Sequence, residues 1–176
     1  DLTFMERALP SDAFNLSRRL GVGLQINGSH YTWAARSFSS TIEGIGGKGA
    51  ATRLTFTPID KHDTLVHLGL AALTQRPKEA VKFGAQPEAL PTDSKLVHTG
   101  TIAAAERMDQ LGLEAAWKAG PVSIQGEWIQ TRLSRTSGEP DVSFDGWYVA
   151  GSWVLTGESR GYKNGVFKGV APARKT

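Results

Sequence analysis

Apolar residues recur at every second position along most of this chain. In Leu20-Gly21-Val22-Gly23-Leu24-Gln25-Ile26-Asn27 the even positions are branched aliphatics, and the odd ones are Gly, Gly, Gln and Asn. Such alternation predicts a strand with one apolar face and one small or polar face. Asn27-Gly28 follows at once, a pair favoured in type I′ hairpin turns because both central residues need positive φ. The return strand, His30 to Phe38, sets Tyr31, Trp33 and Ala35 against Thr32, Ala34 and Arg36. Thr52, Leu54 and Phe56 then oppose Arg53, Thr55 and Thr57. Residues 58–63 form a turn cluster. Beyond it Val66, Leu68, Leu70 and Ala72 oppose His67, Gly69 and Ala71.

From Arg76 to about Arg107 the alternation fades. Pro77, Pro87, Pro91 and Thr92-Asp93-Ser94 mark residues 76–107 as a long loop, with a helical turn over residues 102–107. Loops of this size are uncommon in compact domains and are usually functional. Alternation resumes with Leu111, Leu113, Ala115 and Trp117 against Gln110, Gly112, Glu114 and Ala116. Gly120-Pro121 turns the chain into Val122, Ile124 and Trp128, which oppose Ser123, Gln125 and Glu127. Glu139-Pro140-Asp141 turns it into a final strand whose apolar face is Trp147, Val149, Trp153 and Leu155. Residues 156–176 are rich in Gly and Lys without a period. The expectation is one all-β, antiparallel domain over residues 1–176, with about seven strands joined by alternating short turns and longer loops.

Composition removes several chemistries. The absence of Cys excludes disulfides, thiolate metal sites and Cys nucleophiles together. Twenty Lys and Arg against 17 Asp and Glu leave a net charge of +3, too even to mark a nucleic-acid footprint. Glu43-Gly44-Ile45-Gly46-Gly47-Lys48-Gly49 resembles a phosphate cradle superficially, but Gly49-Ala50-Ala51-Thr52 runs on into a strand, where a P-loop needs Lys-Ser/Thr opening a helix. His62 and His67, five apart, fall on opposite strand faces and make no metal pair. Glu114 and Glu127 lie on adjacent strands and share a side, as glycosidase carboxylates do. No enzyme and no cofactor are expected.

The make-up of the two faces points further. A soluble sandwich exposes a polar face loaded with Lys and Glu; here the polar faces carry Gly, Ala, Ser, Thr and Gln with isolated Arg36, Arg53, Glu114 and Glu127. The apolar faces gather Tyr31, Trp33, Trp117, Trp128, Trp147 and Trp153 near strand ends. Aliphatics outside, small polar residues inside and aromatic rims are the requirement of a transmembrane β-barrel. The rival is a soluble β-sandwich that binds carbohydrate on Trp128, Trp147 and Trp153.

Several segments resemble the phosphate-selective porins O and P. They are Thr3-Phe4-Met5-Glu6-Arg7-Ala8-Leu9-Pro10 with Arg19-Leu20-Gly21-Val22, Val66-His67-Leu68-Gly69-Leu70, His98-Thr99-Gly100-Thr101-Ile102, Leu111-Gly112-Leu113-Glu114-Ala115, Gln125-Gly126-Glu127, and Gly146-Trp147-Tyr148-Val149 running to Leu155-Thr156-Gly157-Glu158-Ser159-Arg160. The resemblance implies a bacterial outer-membrane barrel of the porin type, embedded in lipid and assembled as a homotrimer. It implies passive diffusion of small anions such as phosphate or polyphosphate past a basic constriction. Such porins have about sixteen strands, so this chain is expected to be an internal portion of a larger barrel.

Site residues carry over by position. Arg53, ahead of Phe56-Thr57-Pro58, matches a family position, and Arg36 shares its face; both are expected to line the pore, although Arg53 also suits a pairing with Glu114 or Glu127. Lys82 stands in a segment that resembles a basic ladder, whose places here are Lys82, Gly84 and Gln86, so one cation of that ladder is present. Lys163 matches a constriction position. A second basic place before Pro is occupied by Ala171, and Lys168 stands nearby.

Overall fold

A computed structural model describes residues 19–41, 47–78, 80–85, 97–136 and 138–170. The strands in chain order are β1 (Arg19–Asn27), β2 (Tyr31–Thr41), β3 (Lys48–Asp60), β4 (Thr64–Arg76), β5 (Gly84–Ala85), β6 (Val97–His98), β7 (Ala105–Ala119), β8 (Val122–Arg135), β9 (Val142–Trp153), β10 (Arg160–Lys163) and β11 (Val166–Val170). Seven of them form one sheet in the order β1-β2-β3-β4-β7-β8-β9, and every neighbouring pair is antiparallel. The seven strands expected from alternation are these seven. The N-terminal segment 1–18, most of the Gly-rich loop at 43–49, Gln86 and Ala171 lie outside the described residues.

Short turns gather at one end of the sheet and long connections at the other. The β1–β2 hairpin forms, but neither Asn27 nor Gly28 has positive φ. Asn27 stays in the ladder opposite Thr32, so the turn lengthens to Gly28-Ser29-His30, closed by the Gly28 amide donating to the Tyr31 carbonyl at 2.8 Å. Gly28 makes room for a neighbour instead: a Cβ there would stand 2.3 Å from the Tyr31 ring, which would have to move aside. At the same end the Gly120 amide donates to the Asp63 carbonyl at 2.7 Å, tying two turns together.

The alternation settles which face is dry. Leu24, Leu113 and Ile124 are 56%, 47% and 46% exposed, and no second sheet covers them among the described residues. The shared dry interior of a sandwich is therefore absent from this face. Trp128 and Trp147 sit side by side in register, and the next outward residues toward the long connections turn polar, Gln130 and Asp145, while on β7 the apolar run continues past Leu113 to Leu111 before Asp109. Trp128 and Trp147 thus border the apolar band in mid-strand, while Tyr31, Trp117 and Trp153 lie at its short-turn border. Aromatic girdles at both borders of such a band are what a lipid interface selects.

Beyond the band the pattern inverts. Met108 and Leu133 are buried on the opposite, inner face, joined there by Leu73, Ile129 and Phe144. Residues 80–85 return to them and insert Phe83, with Val81 and Ile102 beside it. Strands that project past the hydrocarbon meet water on their outer side, so burial of apolar area drives this cluster as in a soluble core. The helical turn expected at 102–107 does not form. Ile102 pairs antiparallel with Val81, and β7 has begun by Ala105. The extended form gives Ile102 both a backbone partner and a place in the cluster, which outweighs the helix propensity of three alanines.

Candidate functional site

The inner face of the sheet below this cluster carries the charged side chains, and β10–β11 lies across it. The expected aperiodic tail at 156–176 is, over residues 160–170, a tight hairpin. Its turn is Asn164-Gly165, with φ of 53° and 72°, between the paired residues Lys163 and Val166. That is the type I′ geometry and the Asn-Gly signature that sequence reading assigned to Asn27-Gly28 instead. The signal was present at 164–165; what hid it was the absence of alternation in two such short strands.

One face of the hairpin is pinned to four wall strands. The Tyr162 hydroxyl lies 2.6 Å from His67 Nδ1 on β4 and 3.2 Å from Thr57 Oγ1 on β3. Lys118 of β7, buried, donates from Nζ to the Arg160 carbonyl at 3.0 Å, and Arg160 Nη1 donates to Gln125 Oε1 of β8 at 3.1 Å. Phe167 packs edge-on to Tyr162, with ring centroids 5.2 Å apart, and the Arg160 guanidinium lies 4.9 Å from its ring centroid. Burial pushes the Tyr162 phenol above its ordinary pKa.

Arg53 belongs to the same network. Its Nε and Nη2 donate to Glu114 Oε1 and Oε2 at 2.6 and 2.5 Å, a bidentate pair, and Nη2 also donates to the Gly165 carbonyl at 3.1 Å. His67 Nε2 stands 3.4 Å from the same carboxylate. Of the two pairings weighed for Arg53, Glu114 is the one present. Glu127, directly opposite Glu114 across β7–β8, accepts from the Tyr148 hydroxyl at 2.9 Å. Between hairpin and wall remains a cavity of about 160 Å³ lined in part by Arg53, Arg160, Glu114 and Glu127. Its guanidinium and carboxylate charges balance.

Breaking the Arg53–Glu114 pair is expected to cost more singly than doubly. Glu114→Gln leaves a guanidinium under the hairpin without its counter-charge, whereas Arg53→Met with Glu114→Gln removes both. A double-mutant cycle read by reversible unfolding in lipid should return a coupling of about 0.5–3 kcal/mol. The lower half of that range is expected, because the Arg53 side chain is 35% exposed. Additive single effects would show the pair to be energetically idle.

The other expected site residues fall as follows. Arg36 is exposed on the face of β2 that it shares with Ala34, the register partner of Arg53. Lys82 is exposed between Val81 and Phe83, whose side chains turn to the wall cluster, so Lys82 points away from the wall. Lys163 is exposed on the hairpin, on the face opposite Tyr162. The four are not brought into one cluster. They are set out along the inner side of the sheet, with Arg53 alone engaged beneath the hairpin. Sequence reasoning did not reach Arg160, Tyr162, Phe167 or Lys118, because their role exists only once the hairpin docks.

The model of the family described as phosphate-selective porin O and P matches residues 1–176. The chain belongs to this family. Among curated proteins, this porin-family chain is 29% identical over 188 residues to an uncharacterized protein of Caulobacter vibrioides, covering 97% of the chain and 38% of that protein. It is 39% identical over 67 residues to Porin O of Pseudomonas aeruginosa, covering 36% of the chain and 15% of that porin. The chain spans well under half the length of the curated relatives it matches. The porin-type barrel wall, the open apolar face and the family agree.

Proposed function

We propose that this chain forms part of the wall and constriction of an outer-membrane porin through which small anions, phosphate among them, diffuse passively. The observation that carries the reading is the division of one sheet into an uncovered aliphatic and tryptophan face and an inner face crossed by a basic hairpin. A cation held in a narrow passage with low-dielectric walls lowers the entry barrier for an anion, and successive cations let it step onward. Arg36, Lys82 and Lys163 supply such charges, and Arg53 serves mainly to hold the hairpin that carries Lys163. Passage is expected to need no reaction and no cofactor. The homotrimer and the choice of phosphate rest on family resemblance, and Porin O is the relative whose name supports the channel reading.

The test is the reversal potential of single channels of the full-length protein in planar bilayers across a KCl gradient, with phosphate added as competitor. Anion preference that weakens in Lys82→Gln and Lys163→Gln is expected. Cation preference of the unaltered channel overturns the anion reading.

A further inference from the structure

We propose that Lys168 is a second anion-contacting cation, set beside Lys163 on the passage-facing side of the β10–β11 hairpin. The proposal rests on the anion-channel reading above and adds to it a residue at no motif position. Tyr162 and Phe167 are register partners and share the face that docks on the wall, so Lys163 and its partner Val166 share the other. A Cβ on Gly161 would stand 3.3 Å from the Lys168 Cβ, which places Lys168 on that same outer face. Gly161 leaves the space beside it free for the lysine stem. Both lysines are exposed, and among the described residues neither side chain has a hydrogen bond or ion pair.

The charge distribution across the hairpin makes this pair effective. Residues 160–170 contain no Asp or Glu. Among the described residues, the carboxylates near the hairpin include Glu114, held by Arg53, Glu127, bonded to Tyr148, and Asp60 of β3, whose charge acts on Tyr162. The hairpin therefore keeps its neutralising groups on the wall side and its two ammonium groups on the passage side. An ammonium is a point charge on a flexible stem and does not impose the bidentate fork that suits phosphate. A site built of Lys163 and Lys168 attracts anions by field and discriminates weakly among them.

The experiment is the reversal potential of the full-length channel in 0.1 M-scale KCl gradients for wild type, Lys168→Gln, Lys163→Gln and the double variant. Lys168→Gln is expected to lower the chloride-to-potassium permeability ratio roughly two- to fivefold. The effect should shrink at 1 M salt, where the screening length falls to about 3 Å. Because the chain has no Cys, Lys168→Cys supplies a single thiol in the described segment. Its modification by a sulfonate-bearing thiol reagent should depress anion current, and modification by a trimethylammonium reagent should restore it. An unchanged ratio in Lys168→Gln while Lys163→Gln shifts it overturns the proposal and leaves the anion channel standing. A thiol in the Lys168→Cys variant that reacts without changing current does the same. Cation preference of the wild type removes the anion reading itself, and the proposal with it.

Discussion

Leu113→Arg is expected to prevent stable folding in the bilayer, whereas Gly112→Arg, one residue away, is expected to fold. Leu113 lies on the exposed apolar face between Leu70 and Trp128, and on its own strand it is flanked on that face by Leu111 and Ala115, so on β7 it stands inside the band. An Arg on the lipid face near the bilayer midplane costs about 2–4 kcal/mol, a large part of the stability of most proteins. Gly112 faces the inner side, and a Cβ there meets nothing nearer than the Ala71 Cβ at 3.6 Å. A charge at 112 enters an aqueous space and should change ion selectivity with little change in stability. The measurement is reversible unfolding of the full-length protein from lipid vesicles in denaturant. Equal losses from the two substitutions would contradict the assignment of the faces.

Gly165→Val should release the hairpin while the seven-stranded sheet stays folded. A β-branched residue at φ of 72° is strained by about 1–3 kcal/mol. The new Cβ would also stand 2.5 Å from Thr55 Oγ1, on a short wall side chain that cannot swing far. Together these should lower the docked fraction by roughly fivefold to a hundredfold, given that about 1.4 kcal/mol is a factor of ten. Single-channel conductance is expected to rise and grow noisier, and trypsin is expected to cut after Lys163 and Lys168. Gly165→Asn separates the two causes, since Asn tolerates positive φ but still carries a Cβ. Conductance restored in Gly165→Asn would assign the defect to backbone strain, and a persistent defect would assign it to the contact with Thr55. A Gly165→Val channel indistinguishable from wild type would show that the docked hairpin does not narrow the passage.

Much of the sheet was legible in advance because side chains in a strand alternate strictly, so one register error would bury or expose a whole set at once. The parity of Arg53, Thr55 and Thr57 against Leu54 and Phe56 needs no partner strand to read, and the burial of each side chain follows it. Local signals failed where two readings compete for the same residues. Asn27-Gly28 and Asn164-Gly165 have the same turn chemistry, and ladder pairing of Asn27 with Thr32 decides that the first is not the tight turn. Met108, Leu133 and Phe144 have the parity of lumen residues and the chemistry of core residues, a conflict that only the returning loop with Phe83 resolves.

Period two and residue chemistry suffice for the all-β class, the strand count, the two opposed faces and the cations available to the inner one. Which of those cations remain free emerges only when distant segments meet. Arg53 reaches Glu114 across 61 positions of chain and Gly165 across 112, and no local pattern encodes a contact at such separations. The same docking turns Tyr162 and Phe167 to the wall and leaves Lys163 and Lys168 facing water. A charge acts on a passing ion only if no nearer counter-charge has claimed it, and that is a property of the fold.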